Sequence, residues 1–168
     1  MKTLYFIGGP MGVGKTAVSR ELLARLPRCA MLDGDWCWTM QPFIVTDETK
    51  AMVTGNIVHI LSSFLRCSEF DNVVFCWVMH QQQIIDGLLA RLPMDGVRLV
   101  NISLTCTPEA LAARIGRDVA AGLRDANCIN RALAYLPLYD HVQSVKVDAT
   151  GLHPAEIAEQ IIHTGETL

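Results

Sequence analysis

The sequence predicts an α/β fold of three layers, a five-stranded parallel sheet with helices on both faces and a small lid. Three observations carry this prediction. Short apolar, β-branched runs alternate with longer segments of helical period along the 168 residues. The first run ends in a glycine-rich turn that opens directly into an amphipathic helix. Asn72–Val78 is apolar at nearly every position, as expected of a strand covered on both faces.

The elements follow in order. Thr3–Gly8 reads as the first strand and Lys15–Leu26 as the helix after it. Ala30–Asp33 is a short second strand, and an irregular stretch leads to a long helix over Lys50–Cys67. After the third strand, Asn72–Val78, a helix over Gln81–Leu92 stops before Pro93. Arg98–Leu104 is the fourth strand, and Thr107-Pro108 reads as an N-cap with proline at the first helical position. Ser144–Val147 is the fifth strand and Pro154–Ile162 the closing helix. With no repeat, linker or low-complexity segment, one domain over residues 1–168 is expected, large enough to bury its own core.

Composition narrows the function. Hydrophobic residues make up 51% of the chain and charged ones 18%, a globular balance. The net charge of −3 argues against a general nucleic-acid or membrane-surface binder, which needs clustered positive charge. No apolar run approaches the ~20 residues that span a bilayer. Met1-Lys2 leads straight into a β-type run with nothing like a signal peptide, and the six cysteines are widely spaced with no C-x-x-C pair. The expectation is a cytoplasmic protein, monomer or homodimer, with reduced thiols in its core.

The strongest motif is Gly9-Pro10-Met11-Gly12-Val13-Gly14-Lys15-Thr16, which fits G-x-x-x-x-G-K-[ST] at every fixed position, between a strand and a helix. Glycines let the backbone turn several N–H groups toward one anion, and the helix opening at Lys15 adds the positive end of its dipole. Lys15 would set a point charge on the β- and γ-phosphates, Thr16 would bind Mg²⁺, and Ala17 would close the cradle. Gly12, Gly14 and Ala17 also satisfy G-x-G-x-x-A, the dinucleotide fingerprint. There the first glycine directly follows the strand, whereas here three residues intervene between Gly8 and Gly12, so ATP is preferred to NAD(P).

Met31-Leu32-Asp33-Gly34-Asp35 ends the second strand at the same sheet edge. Two carboxylates around a glycine can divide the labour: Asp33 orienting Mg²⁺ and its water, Asp35 accepting the proton of an attacking hydroxyl. A plain Asp-Gly turn is the competing reading.

A phosphate loop followed by a strand ending Leu-Asp-Gly-Asp resembles the P-loop small-molecule kinases: shikimate, gluconate and adenylylsulfate kinases and chloramphenicol phosphotransferase. Leu136-Pro137-Leu138-Tyr139, Val145–Asp148 and Thr150–Ala158 are similar to the close of shikimate kinases, and Arg114, Arg117 and Asp118 look like that family. The resemblance implies a P-loop kinase fold, ATP and Mg²⁺ as cofactors, Arg114 near the adenine and Arg124 over the phosphates. The chain departs from shikimate kinases in three places. Their arginine near position 135 is absent, Met79–Gln83 replaces a glycine triplet, and no arginine falls between Arg28 and Arg66 to grip an acceptor carboxylate. An acid directly ending the third strand is also missing.

Arginines closing over a transferring phosphoryl group stabilise its spread charge, so Arg114, Arg117, Arg124 and Arg131 are lid candidates, with Gly122 as a flexible point. For Arg117 and Arg131 a solvated helix face competes. Trp36 and Trp38, directly after the acids, are expected to wall the acceptor pocket together with the end of the third strand, although Trp38 could equally pack the core. His80 is a second candidate base. The function expected is ATP- and Mg²⁺-dependent phosphorylation of a hydroxyl, or of a phosphate, on a small molecule. A nucleoside or nucleotide kinase and a slowly hydrolysing ATP-binding regulatory protein are the alternatives.

Overall fold

Side chains alternate along a strand, so a strand apolar throughout must feed two cores. In the computed structural model, which describes residues 1–167, β1 (Lys2–Gly8) does this. Leu4 and Phe6 enter one apolar layer, Tyr5 and Ile7 the other. β3 (Asn72–Cys76) divides the same way, Val73 and Phe75 against Val74 and Cys76. The first layer is closed by α2 (Asp47–Arg66), through Val53, Ile57, Leu61 and Leu65, and by α3 (Gln82–Leu89). The opposite layer is closed by α1 (Lys15–Arg25), α4 (Pro108–Ala120), α5 (Cys128–Tyr135) and α6 (Pro154–Thr167).

The remaining strands are β2 (Cys29–Asp33), β4 (Val97–Thr105) and β5 (Val145–Asp148), and the sheet runs β2-β3-β1-β4-β5 with every pair parallel. The predicted three-layer α/β fold is therefore the one adopted. This order, with β3 between β1 and β2, differs from the 3-2-1 order of dinucleotide-binding sheets, which removes the NAD(P) reading on topology. Register aligns Ile7, Cys76 and Asp33 across three neighbouring strands, so the turn after β1 and the acids after β2 share one edge.

Several boundaries differ from those expected, each for a local reason. β3 stops at Cys76 rather than Val78; Trp77 still donates its N–H to the Ile7 carbonyl at 3.2 Å, but the chain then leaves the sheet. α2 begins at Asp47, not Lys50, because Thr46 and Thr49 form a reciprocal capping box with a threonine in place of the usual Glu or Gln. α3 covers only part of Gln81–Leu92, α5 was not expected as a helix, and α6 continues past Ile162. The predicted cap at Thr107 is present, its hydroxyl accepting from the Ala110 N–H at 3.2 Å with Pro108 in the first turn. All six cysteines are free thiols, with Cys76, Cys106 and Cys128 buried.

Replacing the α2 cap, Thr46→Ala, should lower unfolding free energy by about 1 kcal/mol, read as a shift in urea midpoint at constant m-value. An unchanged midpoint would mean the box adds nothing beyond what water supplies.

Candidate functional site

Between β1 and α1 the backbone must curl tightly, and three glycines allow it. Gly9, Gly12 and Gly14 adopt φ of 150°, 81° and 106°. A Cβ on Gly9 would stand 2.8 Å from Val13 Cγ1 and 2.9 Å from the Leu104 carbonyl, and one on Gly12 would collide with Ile115 of α4. At Gly14 the surroundings are open, and α1 starts there without a side-chain cap. Its first-turn N–H groups thus face outward with no side chain claiming them, the arrangement that binds anions.

Lys15 reaches back over the loop and donates from Nζ to the Pro10 carbonyl at 2.9 Å. Burial pushes its ammonium down to about 8, against the pull of Asp35, Cys76 and Asp33. Thr16, one residue on, donates from Oγ1 to Asp33 Oδ2 at 2.6 Å. The other carboxylate oxygen of Asp33, a buried side chain, accepts from the Asp35 N–H at 3.0 Å and starts a short 3₁₀ turn over Gly34–Trp38. The Asp-Gly-Asp segment is a turn, as the simpler reading held, and it is also part of the site. Val13 is buried in the core, Met11 turns to the far side of the loop, and Ala17 is exposed on α1.

Thr16 and Asp33 place two hard oxygen donors side by side, a donor set that fits Mg²⁺ completed by water and phosphate oxygens. Among the described residues no three acidic, histidine or cysteine side chains form a cage of their own.

Asp35 behaves differently from Asp33. Burial of its carboxyl group and the neighbouring Asp33 charge raise its pKa, opposed by Lys15, a hydrogen bond from the Trp77 side chain, and Arg124. Even so, the residue keeps an open face toward the cleft. Arg124 lies in the exposed stretch between α4 and α5, where Gly122 has φ 73°. Its Nε donates to Asp118 Oδ2 at 2.8 Å, and its charge is felt by both Lys15 and Asp35.

Two cavities flank the loop. One, about 850 Å³, lies between Gly12–Gly14, α4 and the turn before α6, with Arg117, Leu152, Pro154 and Ile157 in its walls. Arg114 sits at its base and donates to the Val13 carbonyl at 2.9 Å and the Ala149 carbonyl at 2.5 Å, tying the loop to the end of β5. The second, about 740 Å³, is lined by Met11, Asp35, Trp38, Trp77, His80 and Tyr135.

Arg131 also lines this second cavity, along with Lys50. It was expected with the lid, and α5 instead carries it to the second cavity, one helical turn from Tyr135. Trp38 faces the second cavity as expected, but Trp36 does not line it and is 51% exposed. His80 stacks on Tyr135 at 4.3 Å and 15°, and burial lowers its pKa. Trp77 lines the cavity from the end of the third strand, as expected, whereas Tyr135 and Lys50 were missed; the i, i+4 spacing of Arg131 and Tyr135 was the signal available.

Fold and site together define a P-loop kinase-like protein. Residues 6–121 match the AAA domain family, and the chain belongs to it. Among curated proteins none matches the sequence. Solved structures of the same fold include the tunicamycin resistance protein of Deinococcus radiodurans, 20% identical with TM-score 0.72, covering 98% of this chain and 96% of that one. A gluconokinase from Sinorhizobium meliloti 1021 is 20% identical with TM-score 0.68, covering 98% and 94%. Shikimate kinase from Acinetobacter baumannii, in complex with shikimate, is 21% identical with TM-score 0.67, covering 99% and 94%. No described helix is long and apolar enough to cross a membrane.

The depressed pKa of Lys15 gives a pH test. Only the protonated amine attracts an anion, and Lys15 is protonated below about 8. Affinity for inorganic pyrophosphate should therefore fall as pH rises through about 8, measured by calorimetry, while Lys15→Ala shows weak binding without that step. A wild-type affinity independent of pH across this window would remove Lys15 from the anion site.

Proposed function

We propose that the chain transfers the terminal phosphoryl group of ATP to a hydroxyl, or a phosphate, of a small molecule. The observation that carries this is a phosphate loop flanked by two separate cavities, the second lined by Asp35, whose carboxyl feels the charges of Lys15 and Arg124. A protein that only held or hydrolysed nucleotide would have no use for the second cavity with a carboxylate at its inner end. Gluconokinase and shikimate kinase, by their names, phosphorylate small hydroxylated molecules on this fold, which supports the reading.

In this mechanism the nucleotide occupies the cavity beside Arg114, and its phosphates lie along Gly9–Thr16. The acceptor hydroxyl faces Asp35. As the acceptor oxygen bonds to the terminal phosphorus, the bond to the β-phosphate oxygen breaks, the hydroxyl proton passes to Asp35 and ADP leaves. Lys15 and Arg124 offset negative charge that builds on the transferring oxygens. Arg124 is paired with Asp118 of α4, which itself lines the first cavity. Mg²⁺, held by Thr16 and through Asp33, would neutralise phosphate charge when bound. Asp35 suits the role of base because its raised pKa increases its affinity for the proton. His80, neutral and stacked, is left as part of the wall.

Two variants test the scheme. Lys15→Ala should abolish ATP turnover with the thermal unfolding curve retained, and unchanged turnover would sink the phosphate-loop assignment. Asp35→Asn should keep nucleotide affinity within a few-fold while kcat on an acceptor falls by ~10² or more. Full transfer activity in Asp35→Asn would place the base elsewhere.

A further inference from the structure

We propose that the acceptor is an aromatic hydroxy compound, its planar ring lying against Trp77 and the His80–Tyr135 stack with its hydroxyl at Asp35. The proposal rests on the kinase reading above and names the substrate class of that site.

The second cavity is walled by flat surfaces from three separate parts of the chain. Trp38 comes from the 3₁₀ turn and is paired with Phe43 at 5.8 Å and 55°. Trp77 comes from the exit of β3, and Tyr135 from the last turn of α5. His80 and Tyr135 are stacked face to face, 15° from parallel with centroids at 4.3 Å, so each ring fixes the orientation of the other. Burial lowers the His80 pKa, which favours the uncharged imidazole in that stack.

These surfaces are fixed before anything binds. A Cβ on Gly34 would stand 2.6 Å from Trp77 Cγ, which means that the indole already rests on bare backbone at that point. The Trp77 N–H is bonded to the Ile7 carbonyl at 3.2 Å, and Phe75 tilts against the ring at 6.3 Å and 53°. Trp77 and Asp35 line the same cavity, and the indole is close enough to the carboxyl to oppose the rise in its pKa. A ring laid on Trp77 thus brings its own substituents to the base.

The chemistry favours a ring over a polyol. An open-chain sugar acid offers many hydroxyls and needs a converging set of donors and acceptors to replace water. The polar groups around this cavity are chiefly Asp35, Thr39, Lys50 and Arg131, and aromatic rings are the largest class of side chain in its wall. Offset stacking of an aromatic ligand on such plates adds stabilisation beyond area burial, ~0.5–1.5 kcal/mol for each ring pair.

The test uses the full chain without nucleotide. Binding of tryptophol and uridine, two ring-bearing alcohols, is compared with that of gluconate and shikimate by saturation-transfer NMR at millimolar concentrations. Saturable binding of a ring probe is expected, weakened about tenfold by Tyr135→Leu and within about threefold of wild type in Tyr135→Phe. Trp38→Leu provides a second variant should Tyr135→Leu not fold. Lack of saturable binding by both ring probes, or binding by gluconate or shikimate in their place, overturns the proposal. So does unchanged ring binding in a folded Tyr135→Leu. ADP release from ATP with each compound is measured separately. Ring binding without ADP release defeats the kinase reading alone, whereas phosphorylation of gluconate keeps that reading and defeats the ring.

Discussion

The hydrogen bond from Thr16 to Asp33, 2.6 Å long, joins two elements that are not neighbours in the sheet. β1 and β2 are separated by β3, so the phosphate loop and the acids would stand about 10 Å apart at strand level. α1 bridges that gap because it begins immediately at Lys15 and presents its second residue across the end of β3. The bridge is feasible because β3 ends in the small Cys76, whose register partners are Ile7 on one side and Asp33 on the other. Burial and the adjacent Asp33 charge push the Cys76 thiol up to about 12.

Charge in the site is balanced by position rather than by number. Asp33 is saturated: one oxygen takes the Thr16 hydroxyl, the other the Asp35 N–H. Asp35 is left with an open face and a raised proton affinity. Two carboxylates in adjacent turns thereby acquire different chemistry, since one has both oxygens engaged in hydrogen bonds while the other keeps an open face. Lys15 shows the converse effect, an ammonium that burial weakens and both acids restore.

What was legible in the sequence was local. The phosphate loop needs glycines at fixed spacing, and the strand before it and helix after it follow from periodicity within about twenty residues. The acids after β2 follow from the same logic, because they end a strand at the loop's edge. The acceptor wall is assembled differently. α5 is short and has no side-chain cap, so nothing in its own residues announces a helix that carries Arg131 and Tyr135 to the second cavity. An apolar run cannot say where pairing ends, and so Trp77 and Val78 read as strand although they leave the sheet. Trp36 and Trp38 are equivalent in composition, and only the 3₁₀ turn decides that one faces solvent and the other the cavity.

The contact between Gly34 and Trp77 has an evolutionary corollary. With a tryptophan at 77, position 34 has no room for even a methyl group, because the ring already occupies the volume that a Cβ would take. The two positions are therefore epistatic, and their substitutions have an order. A lineage that first trades Trp77 for a smaller residue frees position 34 to vary, while one that changes Gly34 first must displace the indole beside Asp35. Descendants of this chain that retain Trp77 are held to glycine two residues after the end of the second strand's apolar run, whatever acceptor they come to prefer.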